Sequence, residues 1–110
     1  MIIKSIKPLT FKGSVQVSPS EYQDEPLVKK LSDYLKLNTD ANIKNKISIA
    51  SDSIEVTSGV LGEKGIVRSF EIAGANPISS NNIEALIKWA EKTKPLLAGS
   101  VKNLITIKPF

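Results

Sequence analysis

Apolar residues in this chain follow a period of two in some stretches and a helical period in others. The changes of period divide it into elements. Phe11, Gly13, Val15 and Val17 alternate with Lys12, Ser14 and Gln16, the pattern of a half-buried strand. A β-prone run at residues 2–7, ended by Pro8, precedes it, and the short link through Leu9 and Thr10 predicts a hairpin of the two. From Leu27 the spacing becomes helical. Leu27, Val28, Leu31, Tyr34 and Leu35 share one face, and Lys29, Lys30, Asp33 and Lys36 cover the other. Ser18 and Glu21 have capping-box spacing, but Pro26 breaks a continuous helix. A short turn over 19–23 and a restart capped by Asp24 are therefore expected.

Residues 38–45 read as a polar loop. Ile47 with Ile49, and Ile54 with Val56, then alternate with polar neighbours, and Ile66, Phe70 and Ile72 share a parity with Arg68. The apolar parity switches between Ile49 and Ile54, which predicts a tight turn or bulge at residues 50–53. Gly59, Gly62 and Gly65 give the next hairpin its backbone freedom. Ser80 or Asn81 is expected to cap a second helix with the buried stripe Ile83, Leu86, Ile87 and Ala90, ended by Lys92, Lys94 and Pro95. Residues 96–100 read as a loop or a loose turn and residues 104–108 as a last strand. The predicted order is β-β-α-β-β-β-α-β. This is a single α+β domain over residues 1–110, with a mainly antiparallel sheet and two amphipathic helices on one face. The last strand is expected beside the first, because neighbouring termini are common in compact domains.

Composition narrows the chemistry. The 110 residues include no cysteine and no histidine. Disulfides, thiolate chemistry, imidazole catalysis and thiolate or imidazole metal sites are thereby removed. No apolar run approaches the ~20 residues that span a bilayer, and Lys4 and Lys7 interrupt the apolar start, so an intracellular, cytoplasmic setting without membrane contact is expected. Net charge is +4, but its layout is uneven. Residues 1–20 carry +3, residues 92–110 carry +4, and residues 21–91, which hold all eleven acids, carry −3. Arg68 is the only arginine. Base-edge and bidentate phosphate readout favour arginine, so a lysine-based charge points at most to weak, salt-sensitive polyanion binding.

Few motifs carry chemistry. Gly59, Gly62, Gly65 and Lys64 lack the spacing of a phosphate loop and precede a strand, so they read as a hairpin. Asn38, Asp40 and Asn42 imitate the start of a calcium loop, but Ile43 and Ile49 stand where glycine and glutamate are required. Glu55 and Glu71 are expected as diagonal neighbours on the polar face of one hairpin. Arg68 shares a face with apolar residues, and burying its charge is costly unless it is paired. Two readings follow: a bulge or a stem with its head in water, or an anchor for an acidic partner, in which case Arg68→Gln weakens binding and leaves the melting temperature nearly unchanged. Trp89 lies at the edge of its helix stripe, either as core-edge packing or as a partner contact.

The phrases SIKPL and TIKPF, at residues 5–9 and 106–110, each look like a strand tail stopped by proline. If those strands are neighbours, Lys4, Lys7 and Lys108 gather in one region. The expected function is a small non-enzymatic protein-binding module, such as an adaptor, inhibitor, immunity-type or phage-type structural protein, with an unidentified protein partner. Self-association through a sheet edge is compatible with it. The alternative is weak nucleic-acid or polyanion binding through the terminal lysines, and the last is a histidine-free hydrolase or lyase. The candidate partner-binding residues are Arg68, Trp89, Lys4, Lys7 and Lys108. No catalytic, metal or cofactor residues are assigned.

Overall fold

The structure is a computed structural model and describes residues 12–98. Strand β1 (Ser14–Ser18) leads through a 3₁₀ turn (Ser20–Tyr22) into helix α1 (Pro26–Leu37). Strands β2 (Ile43–Ala50), β3 (Ser53–Val60) and β4 (Arg68–Ala73) follow, then helix α2 (Ser80–Lys92) and the short α3 (Lys94–Ala98). Helix α1 starts where Pro26 occupies the first helical position and needs no N–H partner. Its cap is Glu25, whose Oε1 accepts from the N–H groups of Leu27 (2.7 Å) and Val28 (3.0 Å). Helix α2 is capped by Ser79, whose Oγ accepts from Asn82 N–H at 3.2 Å.

The four strands form one sheet in the order β1-β2-β3-β4. β1 runs parallel to β2, and the β2–β3 and β3–β4 pairs are antiparallel. A parallel pair needs a crossover, and α1 supplies it. The period-two pattern then sorts the side chains. Ile47 and Ile49 of β2 and Ile54 and Val56 of β3 pair across the ladder and face the helices. Val28, Leu31 and Leu35 of α1 and Ile83, Leu86 and Ala90 of α2 close over them. Fully burying one such Leu, Ile or Val is worth about 1.5–3 kcal/mol. A second, smaller cluster joins Ile43, Val60 and Leu97, with Val67 packed against it, and so ties α3 to one end of the sheet. The loop between β3 and β4 turns through Gly62, whose φ of 83° suits glycine.

The class is α+β, but the element order differs from expectation. β1 begins the described chain, and the short helix α3 stands where a loop or loose turn is expected. The expected strands at residues 2–7 and 104–108, and with them both proline-ended phrases, lie outside the described residues. The sheet is mainly antiparallel, as expected, and mixed only through the parallel β1–β2 pair. The cap of α1 is Glu25 rather than Asp24, because the side chain directly before Pro26 reaches the free N–H groups. The cap of α2 is Ser79, one residue before the two expected. β2 starts at Ile43, inside the stretch read as loop, because Ile43 pairs with Val60 and is buried between strand and α3. The turn expected at residues 50–53 is present, as Ser51 and Asp52 between β2 and β3.

Candidate functional site

Across the helix-covered face, one row of the sheet is polar. Asn45 pairs with Ser58 and Ser58 pairs with Arg68, each at a position where the flanking rows are apolar. All three are buried, Arg68 with 5% of its surface exposed. The row is wired end to end. Arg68 Nε donates to Ser58 Oγ at 3.1 Å, Ser58 Oγ donates to Asn45 Oδ1 at 2.6 Å, and Asn45 Nδ2 donates to Ser14 O at 3.0 Å and Thr39 Oγ1 at 3.2 Å. Thr39 Oγ1 in turn donates to Leu35 O at 2.7 Å. At the other end Arg68 Nη1 donates to Ala90 O at 2.7 Å and Thr93 Oγ1 at 2.9 Å. The network thus links the last turn of α1 to the last turn of α2 through all four strands. Among the described residues no buried side-chain nitrogen or oxygen lacks a partner, which is the condition under which a buried polar network is tolerated.

The named partners of Arg68 are uncharged. Burial pulls its guanidinium down to about 10, and the nearby Tyr34 acts in the opposite direction. Burial raises the Tyr34 phenol, Glu91 adds to that, and Arg68 opposes it. The guanidinium carbon lies 5.0 Å from the ring centre of Trp89, within cation–π range. Phe70 stacks on the same indole, with centroids 5.7 Å apart and planes 21° apart. Trp89 is half-buried, whereas Phe70 keeps 38% of its surface exposed.

Backbone parity shows which side of β4 is open. Gly74 N–H donates to Asp52 O at 2.8 Å, in register with the β3–β4 ladder. Hydrogen-bonded pairs recur at every second residue of an antiparallel ladder, so Ile72, Phe70 and Arg68 bond to β3. Leu61 N–H donating to Asn42 O gives the same parity, since it assigns the odd-numbered residues of β3 to β2. The peptide groups of Ser69, Glu71 and Ala73 therefore point away from β3. Among the described residues β4 pairs on its β3 side alone. At its start, Val67 N–H also donates to Ser58 O (2.8 Å), the residue opposite Arg68, so two residues face one as in a β-bulge. That shift explains why Ile66 is 62% exposed although it shares the parity of Phe70.

The second face of the sheet is polar and carries no described helix. Glu55 and Glu71 stand directly opposite one another there, not diagonally. The parity above makes them a non-hydrogen-bonded pair, in which side chains lie closest, with Cα atoms about 4.5 Å apart. Like charges so placed are destabilising. They edge a hollow of about 270 Å³ shared with Ser18, Ser48 and Ser53. Lys46, diagonal to Glu55 across the β2–β3 ladder, and Lys44 lie further along this face, beside a hollow of about 290 Å³ whose lining includes Ser14, Gln16 and Thr57.

Of the sequence-predicted residues, Arg68 and Trp89 are brought together, while Lys4, Lys7 and Lys108 lie outside the described residues. Arg68 is neither a surface stem nor an exposed anchor. It is enclosed because Ser58, Ala90 and Thr93 offer acceptors inside the fold. Asn45, Ser58, Thr93 and Phe70 complete the cluster and were not singled out from the sequence. The signal was present for two of them, since Asn45 and Ser58 interrupt the apolar parity of β2 and β3 as Arg68 does that of β4. Among the described residues no helix is long and apolar enough to cross a membrane, and no group of three or more acids is placed to hold a metal ion. Comparison of the chain with protein-family models, curated proteins and solved structures finds no match in any of the three.

Proposed function

We propose that this chain is a small non-enzymatic protein-binding module that accepts an extended segment of a partner along the β4 edge. The observation that carries this reading is the edge itself. Among the described residues the peptide groups of Ser69, Glu71 and Ala73 are unshared, in a strand without proline or lysine whose bulge and inward Arg68 lie at its start, before these three residues. Beside them Phe70, backed by Trp89, offers an aromatic surface of the kind enriched at interfaces. Main-chain hydrogen bonds supply affinity in this mode, and side chains on alternate faces supply selectivity.

The test is affinity capture from an extract of the source organism, with the wild-type chain and Glu71→Pro run side by side. Proline at residue 71 removes an outward donor and leaves the β3 ladder intact. The reading expects a partner retained by the wild type and lost by the variant, with both proteins showing a cooperative melt. Equal capture by the two overturns it.

A second reading, weak polyanion binding, has one supporting observation: Lys44 and Lys46 project from the same strand face beside the 290 Å³ hollow. Heparin titrated at two salt concentrations tests it. A Kd that ignores salt, or no binding, removes it.

A further inference from the structure

We infer that the segment accepted at the β4 edge is basic, with a lysine or arginine opposite Glu71 and an apolar residue on either side of it. This rests on the edge reading above and adds the chemistry of the partner. Strand register sets this chemistry. A strand laid against the outer side of β4 bonds to the peptide groups of Ser69, Glu71 and Ala73. The residue it places opposite Glu71 then projects onto the polar face of the sheet. There it stands beside the Glu71 carboxylate, with Glu55 one strand further in, directly across the ladder from Glu71. Its two neighbours project onto the other face, opposite Phe70 and Ile72, in the close, non-hydrogen-bonded positions.

The two carboxylates explain the sign. Glu55 and Glu71 hold directly opposite positions of a close pair, where like charges are unfavourable. A cation arriving from the edge side relieves that repulsion, and an anion adds a third like charge. The apolar neighbours extend the surface formed by Phe70 on Trp89. Edge, acidic pair and aromatic pair thus select an alternating apolar–basic–apolar segment, and each acts at a different position of it.

The probe is a capped seven-residue peptide with valine at its third and fifth positions, threonine at the ends, and lysine, glutamine or glutamate in the centre. Each is titrated into the full-length ¹⁵N-labelled chain while the amide signals of Ser69, Glu71 and Ala73 are followed. The lysine peptide is expected to shift these three amides and to bind about tenfold more tightly than the glutamate peptide at low salt, with the glutamine peptide between. The gap is expected to shrink at 0.5 M salt, and Glu71→Lys to reverse the order. Equal binding of the three peptides, or an unchanged order in Glu71→Lys, overturns the charge inference and leaves the edge reading standing. Failure of every peptide to move these amides, or their protection from hydrogen exchange in the peptide-free monomer, overturns both.

Discussion

The sheet has two outer strands among the described residues, and they are built in opposite ways. β1 is held from several directions. Gly13, just before it, donates its N–H to Lys36 O at the end of α1 (3.2 Å), and Asn45 holds Ser14 O from inside the sheet. Pro19 follows its last residue, and the charged side chains of Asp24, Lys29, Asp33 and Lys36 rim the narrow hollow beside Val15 and Val17. β4 carries Phe70 stacked on Trp89 of α2, with Glu71 as its exposed charge, and no proline. Its one inward charge, Arg68, is consumed by the core. An edge surrounded by charge and ended by proline discourages strand addition, whereas an edge flanked by Phe70 and Trp89 leaves it open. Among the described residues β1 is thus the closed edge of the sheet and β4 the open one.

Substitutions can break that division, and the largest effect is expected on the β1 side. A Cβ at residue 13 would run into the Thr39 side chain and lie 3.1 Å from Asp40 O. Gly13→Ala is therefore expected to cost about 3 kcal/mol, read as a lowered urea midpoint with unchanged m. Arg68→Gln comes next. It strips the donors from Ser58, Ala90 and Thr93, and a loss of about 2 kcal/mol is expected in the same measurement. A melting temperature equal to the wild type would mean that the network is not what holds Arg68, and would restore its reading as a surface anchor. Glu71→Pro sharpens the contrast from the other side. It is expected to change stability by less than about 1 kcal/mol, because it removes an outward donor only. The smallest effect carries the opposite sign. Glu71→Gln relieves a like-charge pair and is expected to raise stability by a few tenths to about 1 kcal/mol at low salt, a gain that fades as salt is added.

The parts of this fold that were readable from the sequence are those governed by a local rule. The helical stripe of Val28, Leu31 and Leu35, the stripe of Ile83, Leu86 and Ala90, and the parity switch between Ile49 and Ile54 each follow from period alone. Pairing is non-local, and there the reading failed. Nothing near β1 in the chain says that it lies parallel to β2, because that depends on α1 crossing over the sheet. Glu55 and Glu71, diagonal for a turn centred near Gly62, are directly opposite because the bulge at Val67 and the long loop through Gly62 shift the hairpin register. Arg68 was rightly singled out as a charge on an apolar face. Its enclosure depends on acceptors 10 to 25 residues away, at Ser58, Ala90 and Thr93, and no local pattern ties these together. The buried row becomes legible only when the three strands are laid side by side, so that Asn45, Ser58 and Arg68 fall into line.

Trp89 is the chain's single tryptophan, and it sits against the side chains of Arg68 and Phe70 on β4. The molecule therefore carries its own optical probe at the strand of interest. A segment added to that edge covers Phe70 and dries the indole beside it, so the emission should move to shorter wavelength without any label. Loss of the Arg68 contact removes a nearby cation and shifts the same band for a different reason. One fluorescence channel thus follows both the outer strand and the buried row, and Phe70→Leu separates the two signals.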